Sequence, residues 1–189
     1  MRTSVSWGSS GIGVIAAAAI VCAAQTPARA QDKPMALTAL DYIEIEQLVA
    51  KYAVAIVHCT NSGYDYADLY TEDGWFAPAR EGKVGNRFQG RERLAEAAGG
   101  GKGGCREVAW REVTHVPTNH VITATPQGAV GRVDLVAVGV DNDPFKVERQ
   151  GYYEDVYVKT PKGWRFGSRT HHLRSGQTVT PLNRPQQQK

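Results

Sequence analysis

The chain is poor in cysteine and in net charge, and it lacks a hydrophobic run long enough to span a bilayer. It has 3 cysteines and 2 methionines in 189 residues. That is far too few sulfurs for a disulfide-dense scaffold or a cysteine-rich metal module. The first 30 residues contain no Asp or Glu, and two of the 22 basic residues, Arg2 and Arg29, lie there. From residue 31 onward, 20 basic residues face 19 acidic ones. A balance this even excludes a strongly basic nucleic-acid binder and an acidic tail, and it leaves a small molecule or a protein as partner. The apolar stretch Gly11–Ala24 has about 14 residues, short of the roughly 20 that cross a bilayer. No internal repeat is present. One domain fits this length.

The acid-free start reads as a secretory signal peptide over residues 1–30. Arg2 supplies the positive start, Gly11–Ala24 the apolar core, and Ala28-Arg29-Ala30 the small-residue end. Cleavage there gives a mature chain from Gln31, periplasmic or secreted, with no membrane anchor. Gly8-Ser9-Ser10-Gly11-Ile12-Gly13 looks like a dinucleotide-binding turn, but it lies inside this segment with no strand before it. Export leaves Cys59 and Cys105, an even pair in an oxidising compartment, so a disulfide is expected. It would close a loop of roughly 46 residues and stabilise by on the order of 4 kcal/mol in the chain-entropy model. The alternative is a reactive thiol.

Helical spacing dominates the next segment. Leu40, Ile45, Leu48, Val49, Tyr52, Ile56 and Val57 fall on one face, and Thr38 with Asp41 resembles a capping box. Asn61-Ser62-Gly63 ends that helix. A short helical segment is expected over Tyr64–Tyr70, a short strand over Gly74–Ala77 closed by Pro78, and a helix over Gly90–Ala98. The glycines of Gly99–Gly104 read as a flexible loop. Strands are expected over His115–Thr123, Ala129–Val140, Gly151–Lys159 and Trp164–Leu173, with Asp141–Pro144 as a loop and Pro161 and Gly163 placed for a tight turn. Residues 175–189 read as a flexible tail. Helices followed by long antiparallel strands make an α+β cone, with a curved sheet wrapped around the first helix and a pocket between them.

In sequence this chain resembles the SnoaL-like branch of the nuclear-transport-factor-2-like superfamily, whose members include scytalone dehydratase. The residues that carry the resemblance are LTALDYIEIEQLVAKYAVAI, DYADLYTEDGWF, His115-Val116-Pro117-Thr118-Asn119, Gly151–Asp155 and Gly163–Phe166, within a domain over 36–174. It implies a cofactor-independent lyase or isomerase acting on a small apolar oxygenated molecule. A binding protein and a dimeric interaction module on the same fold are the alternatives. A homodimer through the open sheet face is also implied.

His115 stands where dehydratase-like members keep a proton-abstracting histidine, oriented by an aspartate at the end of the first helix. Here that stretch is Val57–Ser62 and contains no carboxylate. Asp65 reaches in from a shifted loop, or His58 or Asn61 takes its place, or the pair is lost. Strand alternation puts His115 and Asn119 on one face and His120 on the other. Asn119 would bond a substrate oxygen or tie strand ends. Tyr52, Trp75, Phe76, Trp110, Tyr153 and Trp164 are core or pocket wall. Arg169 pairs with Asp155 or meets a substrate carboxylate. His171 and His172 point to opposite faces, and none of the histidines has zinc-ligand spacing, so neither metal nor cofactor is expected.

Overall fold

A computed structural model describes residues 33–108, 113–139 and 147–174, apart from the side chain of Glu148. The signal-peptide and tail readings, Trp110 and the loop at Asp141–Pro144 lie outside the described residues.

Helix α1 spans Ala39–His58. Thr38 and Asp41 form the expected capping box, each bonding the other's backbone N–H. The Asp41 carboxylate also accepts from Lys159 Nζ and, at 3.0 Å, from Trp164 Nε1. The cap therefore pins the start of the helix to the last hairpin of the sheet. The Lys159 ammonium, with the Thr38 backbone, holds the Asp41 carboxyl well below the usual carboxylate range. Beyond His58 the chain makes a 3₁₀ turn over Thr60–Gly63, and α2 is one turn, Tyr64–Ala67. Cys59, Asn61, Ser62 and Gly63 all have positive φ. Helix α3 spans Arg91–Ala97.

The glycines after α3 are not a slack linker. Gly100 N–H bonds Ala95 O and Gly101 N–H bonds Ser62 O. A Cβ on Gly100 would sit 2.0 Å from Ser62 O, so only glycine permits the approach. The loop packs on the left-handed strap and delivers Cys105 to Cys59, and the expected disulfide is formed.

Seven strands follow the order β2-β1-β7-β6-β5-β4, with β3 also pairing β1. They are β1 (Tyr70–Arg80), β2 (Lys83–Val84), β3 (Phe88–Gln89), β4 (Val113–Thr125), β5 (Gly128–Gly139), β6 (Val147–Thr160) and β7 (Gly163–Leu173). The four long strands β4–β7 form an antiparallel meander joined by tight turns. Two corrections concern β1. It runs eleven residues instead of four, and it pairs parallel with β7 in an otherwise antiparallel sheet. Pro78 lies inside it without harm: β3 pairs at Trp75 and Phe76 and β2 at Ala79 and Arg80, so position 78 falls between them.

The sheet is curved and does not close, and α1 packs against β4 and β7. Ile45, Leu48, Tyr52 and Ile56 meet Val133, Leu135, Tyr153, Tyr157 and Phe166 in one core. Among the described residues, no helix is long and apolar enough to cross a membrane.

Candidate functional site

The placement of the histidines depends on a bulge in β4. Thr118 pairs with Asp134 and Val121 with Arg132, so Asn119 and His120 together oppose Val133 alone. Asn119 takes up the extra residue with φ 50°, a left-handed conformation that Asn tolerates better than most side chains. The bulge inverts the alternation. Val113 and His115 point inward before it, and His120 and Ile122 after it. The expectation that His115 and Asn119 share the pocket face, with His120 outside, is therefore wrong. Asn119 is exposed and donates to Asp134 Oδ2 at 3.1 Å.

His120 enters a buried chain of polar groups. Its Nε2 lies 2.9 Å from Tyr157 Oη. The Tyr157 hydroxyl donates to Asp155 Oδ2 at 2.6 Å, and Arg169 donates to both Asp155 oxygens at 2.8 and 2.6 Å. Because the Tyr157 proton goes to Asp155, His120 Nε2 must be the donor to Tyr157, which fixes the tautomer. Nδ1 then faces Glu46 Oε1 across 3.4 Å. Burial holds the His120 imidazole below its ordinary value, against the opposing pull of the Glu46 charge. Gly131 makes room: a Cβ there would come 2.6 Å from the Tyr157 ring and 3.1 Å from His120 Nε2.

Arg169 and Asp155 are both fully buried, so the expected pairing is correct and the substrate-carboxylate role is not open to Arg169. Its guanidinium lies 4.1–4.2 Å from the rings of Tyr52, Tyr153 and Phe166. Tyr52 and Tyr153 are each 1% exposed and belong to this packed centre. Trp75 sits under the Arg87 guanidinium, and Phe76 packs against Phe88 and Tyr66. Both lie on β1, and among the described residues no hydrogen bond or ring contact joins either of them to His115.

His115 is 9% exposed, and its Nδ1 is enclosed with no hydrogen-bond partner among the described residues. His171 Nε2 is likewise enclosed and unpartnered, and its ring lies 4.7 Å from that of Tyr153. His172 points the other way, as expected, stacking on Tyr152 with 4.5 Å between ring centres. Burial, reinforced by the nearby Arg149 guanidinium, pushes His115 down to about 4. His171 falls to about 3 through burial and through His115, Arg169, Arg149 and His172. Both imidazoles are neutral at pH 7. On the sheet, His115 pairs with Ala137, and Leu135 pairs with Gly151. A Cβ on Gly151 would come 2.4 Å from the backbone oxygen of His172 and 3.2 Å from His171 Nε2, so the close strand pairing there requires glycine.

The expected partners of His115 are elsewhere. His58 is exposed at the last turn of α1. Asp65 is exposed and accepts from Asn61 Nδ2 at 3.2 Å. It lines an outer groove of about 880 Å³ beside Leu48, Val54, Leu69 and Trp164. Neither of them contacts His115 among the described residues. His171 and Arg149 are the site residues that sequence reasoning missed. Their signal was the bulge and the register, which no single strand displays. Among the described residues, no cluster of three or more His, Cys, Asp or Glu is placed to hold a metal.

A SnoaL-like domain model matches residues 38–170, and the chain belongs to that family. Similar solved structures confirm the cystatin-like architecture. An NTF2-like protein from Novosphingobium aromaticivorans is 23% identical with a TM-score of 0.59, over 74% of this chain and 86% of that one. Rv3472 of Mycobacterium tuberculosis, studied as a variant and of unknown function, is 27% identical with a TM-score of 0.55, over 71% and 72%. A Catenulispora acidiphila protein in complex with S-DNPA is 20% identical with a TM-score of 0.56, over 72% and 95%. No curated protein matches the chain significantly.

Proposed function

We propose that the chain is an exported small-molecule-binding protein, with its seat at His115 and His171, and that it does not carry out lyase or isomerase chemistry. The observation behind this reading is a pair of enclosed imidazole nitrogens with no partner among the described residues. A buried polar atom left unpaired costs about 1–3 kcal/mol, and a ligand hydrogen bond is the natural relief. A general base needs a pKa near the working pH and a group to orient it. His115 sits at about 4, and none of the described carboxylates orients it. The binding of S-DNPA by one relative on this fold is consistent with a ligand role.

Export rests on residues 1–30, and the Cys59–Cys105 disulfide suits an oxidising compartment. The protein acts as a homodimer through the outer sheet face, where Val116, Val121, Val130 and Val156 are 38–62% exposed. Sedimentation of residues 31–189 checks the dimer.

The binding reading is tested by purifying residues 31–189 from periplasm under mild conditions and extracting the protein for mass spectrometry. A stoichiometric small molecule that disappears in H115A/H171A is the expected result. Turnover of an elimination or isomerisation substrate that H115A abolishes while binding persists would overturn it.

A further inference from the structure

Among the described residues, the seat is lined by bases, without an acid. From β4 it receives His115 and from β7 His171, with Arg169 behind. From β6 come Arg149, which acts electrostatically on both histidines, and Tyr153. From β5 come only the uncharged Leu135 and Ala137, and from α1 the Tyr52 phenol, itself against Arg169. Two described carboxylates near them are engaged elsewhere. Asp155 is spent on Arg169 and Tyr157, and Glu154 meets His172, 2.8 Å away, on the opposite face. Every described charge that acts on His115 or His171 is therefore positive or becomes positive on protonation. The floor between them is small, Ala137 and Gly151.

We propose that this seat takes a small organic anion with an apolar body, its charged head on Arg149, His115 and His171, and that binding takes up a proton from solution. The proposal rests on the binding role put forward above and specifies its ligand class. The proton uptake follows from donor arithmetic. A neutral imidazole offers one N–H and one lone pair, and the lone pair repels an anionic oxygen. Protonation turns that lone pair into a charge-assisted donor, the stronger kind of hydrogen bond. An anion in the seat also supplies the missing negative neighbour and so favours the charged imidazole. The empty seat keeps both rings neutral, and the filled seat charges at least one of them.

The test uses the mature, disulfide-intact chain with benzoate and its neutral counterpart benzamide. Proton NMR follows the ring protons of His115 and His171 in a pH series, assigned with H115Q and H171Q. Calorimetry in two buffers of different ionisation enthalpy counts protons. Benzoate is expected to move both histidines and raise the titration midpoint of at least one. Its affinity should tighten by up to about tenfold per unit as pH falls from 7 to 5. R149Q should weaken benzoate about tenfold or more while leaving the melting temperature near that of wild type, and benzamide should bind more weakly. If benzamide moves the two histidines and benzoate does not, the anion proposal fails and the seat stands. If benzoate binds without proton uptake, the protonation step fails. If neither probe perturbs either histidine, the anion proposal fails, while the binding role still stands or falls on the extracted ligand.

Discussion

Two regions of the interior treat ionisable groups in opposite ways. At the centre, Arg169, Asp155, Tyr157 and His120 are enclosed, and each is bonded to the next. Toward the start of β4 and the end of β7, His115 and His171 are enclosed with nitrogens bonded to nothing described. Both regions are desolvated, so burial alone does not separate them. Satisfaction does. A paired buried network costs stability when one member is removed. An unpaired buried group costs stability while it is present. The first arrangement holds the fold together, and the second holds a place for something else.

Removing one member of the central pair breaks the comparison from its strong side. Asp155→Asn or Arg169→Met should each destabilise by about 3–5 kcal/mol, because the partner is left charged in a dry site. Urea denaturation of residues 31–189 measures it. Loss of the Cys59–Cys105 link by a double Ser substitution should cost on the order of 4 kcal/mol in the same assay. Acid breaks the comparison from the other side. In the folded chain His115 and His171 titrate near 4 and 3, whereas in the unfolded chain they titrate near 6.5. The unfolded state therefore binds protons first. Stability is full above about pH 7 and declines as pH falls through 6.5 toward 4, by on the order of 3 kcal/mol per histidine. A pH series of melting curves tests this, and H115Q/H171Q should flatten the slope in that window. His115→Leu carries the opposite sign to the Asp155 change: removing the orphaned nitrogen should stabilise by about 1 kcal/mol at pH 7 while abolishing ligand binding. The smallest effect belongs to Glu46→Gln. Glu46 is a largely exposed partner of His120, so stability should move by less than about 0.5 kcal/mol. The His120 midpoint, followed by NMR, should still fall.

Much of the fold was readable before any coordinates. The capping box at Thr38 and Asp41, the apolar face of α1, the hairpin turn at Pro161 and the four long strands are local signals, each carried by a few neighbouring residues. The family resemblance added the architecture. What escaped was relational. The parallel pairing of β1 with β7 and the bulge at Asn119 are properties of two strands, not of one. Period-two reasoning assumes an unbroken ladder, so it placed Asn119 inside and His120 outside. The adjacency of Val121 and Ile122, one exposed and one packed on the core, was consistent with either phase. The glycine run after α3 read as slack because its close contact with Ser62 is long-range. The site was the least legible part. His115 was found through resemblance, but Arg149 and His171 are placed near it by the register of the strands, with Ala137 paired to both His115 and Arg149 and Tyr153 paired to His171.

The bulge at Asn119 also marks where this strand can lose a residue without changing its faces. With Asn119 removed, His120 would follow Thr118 directly, and simple alternation would put Thr118 out, His120 in and Val121 out, as they stand now. His115 and His120 would both stay inside, and Tyr157 would keep its donor. Length variation among relatives is therefore expected to fall at this point, with Gly131 and Tyr157 kept on the strands beside it.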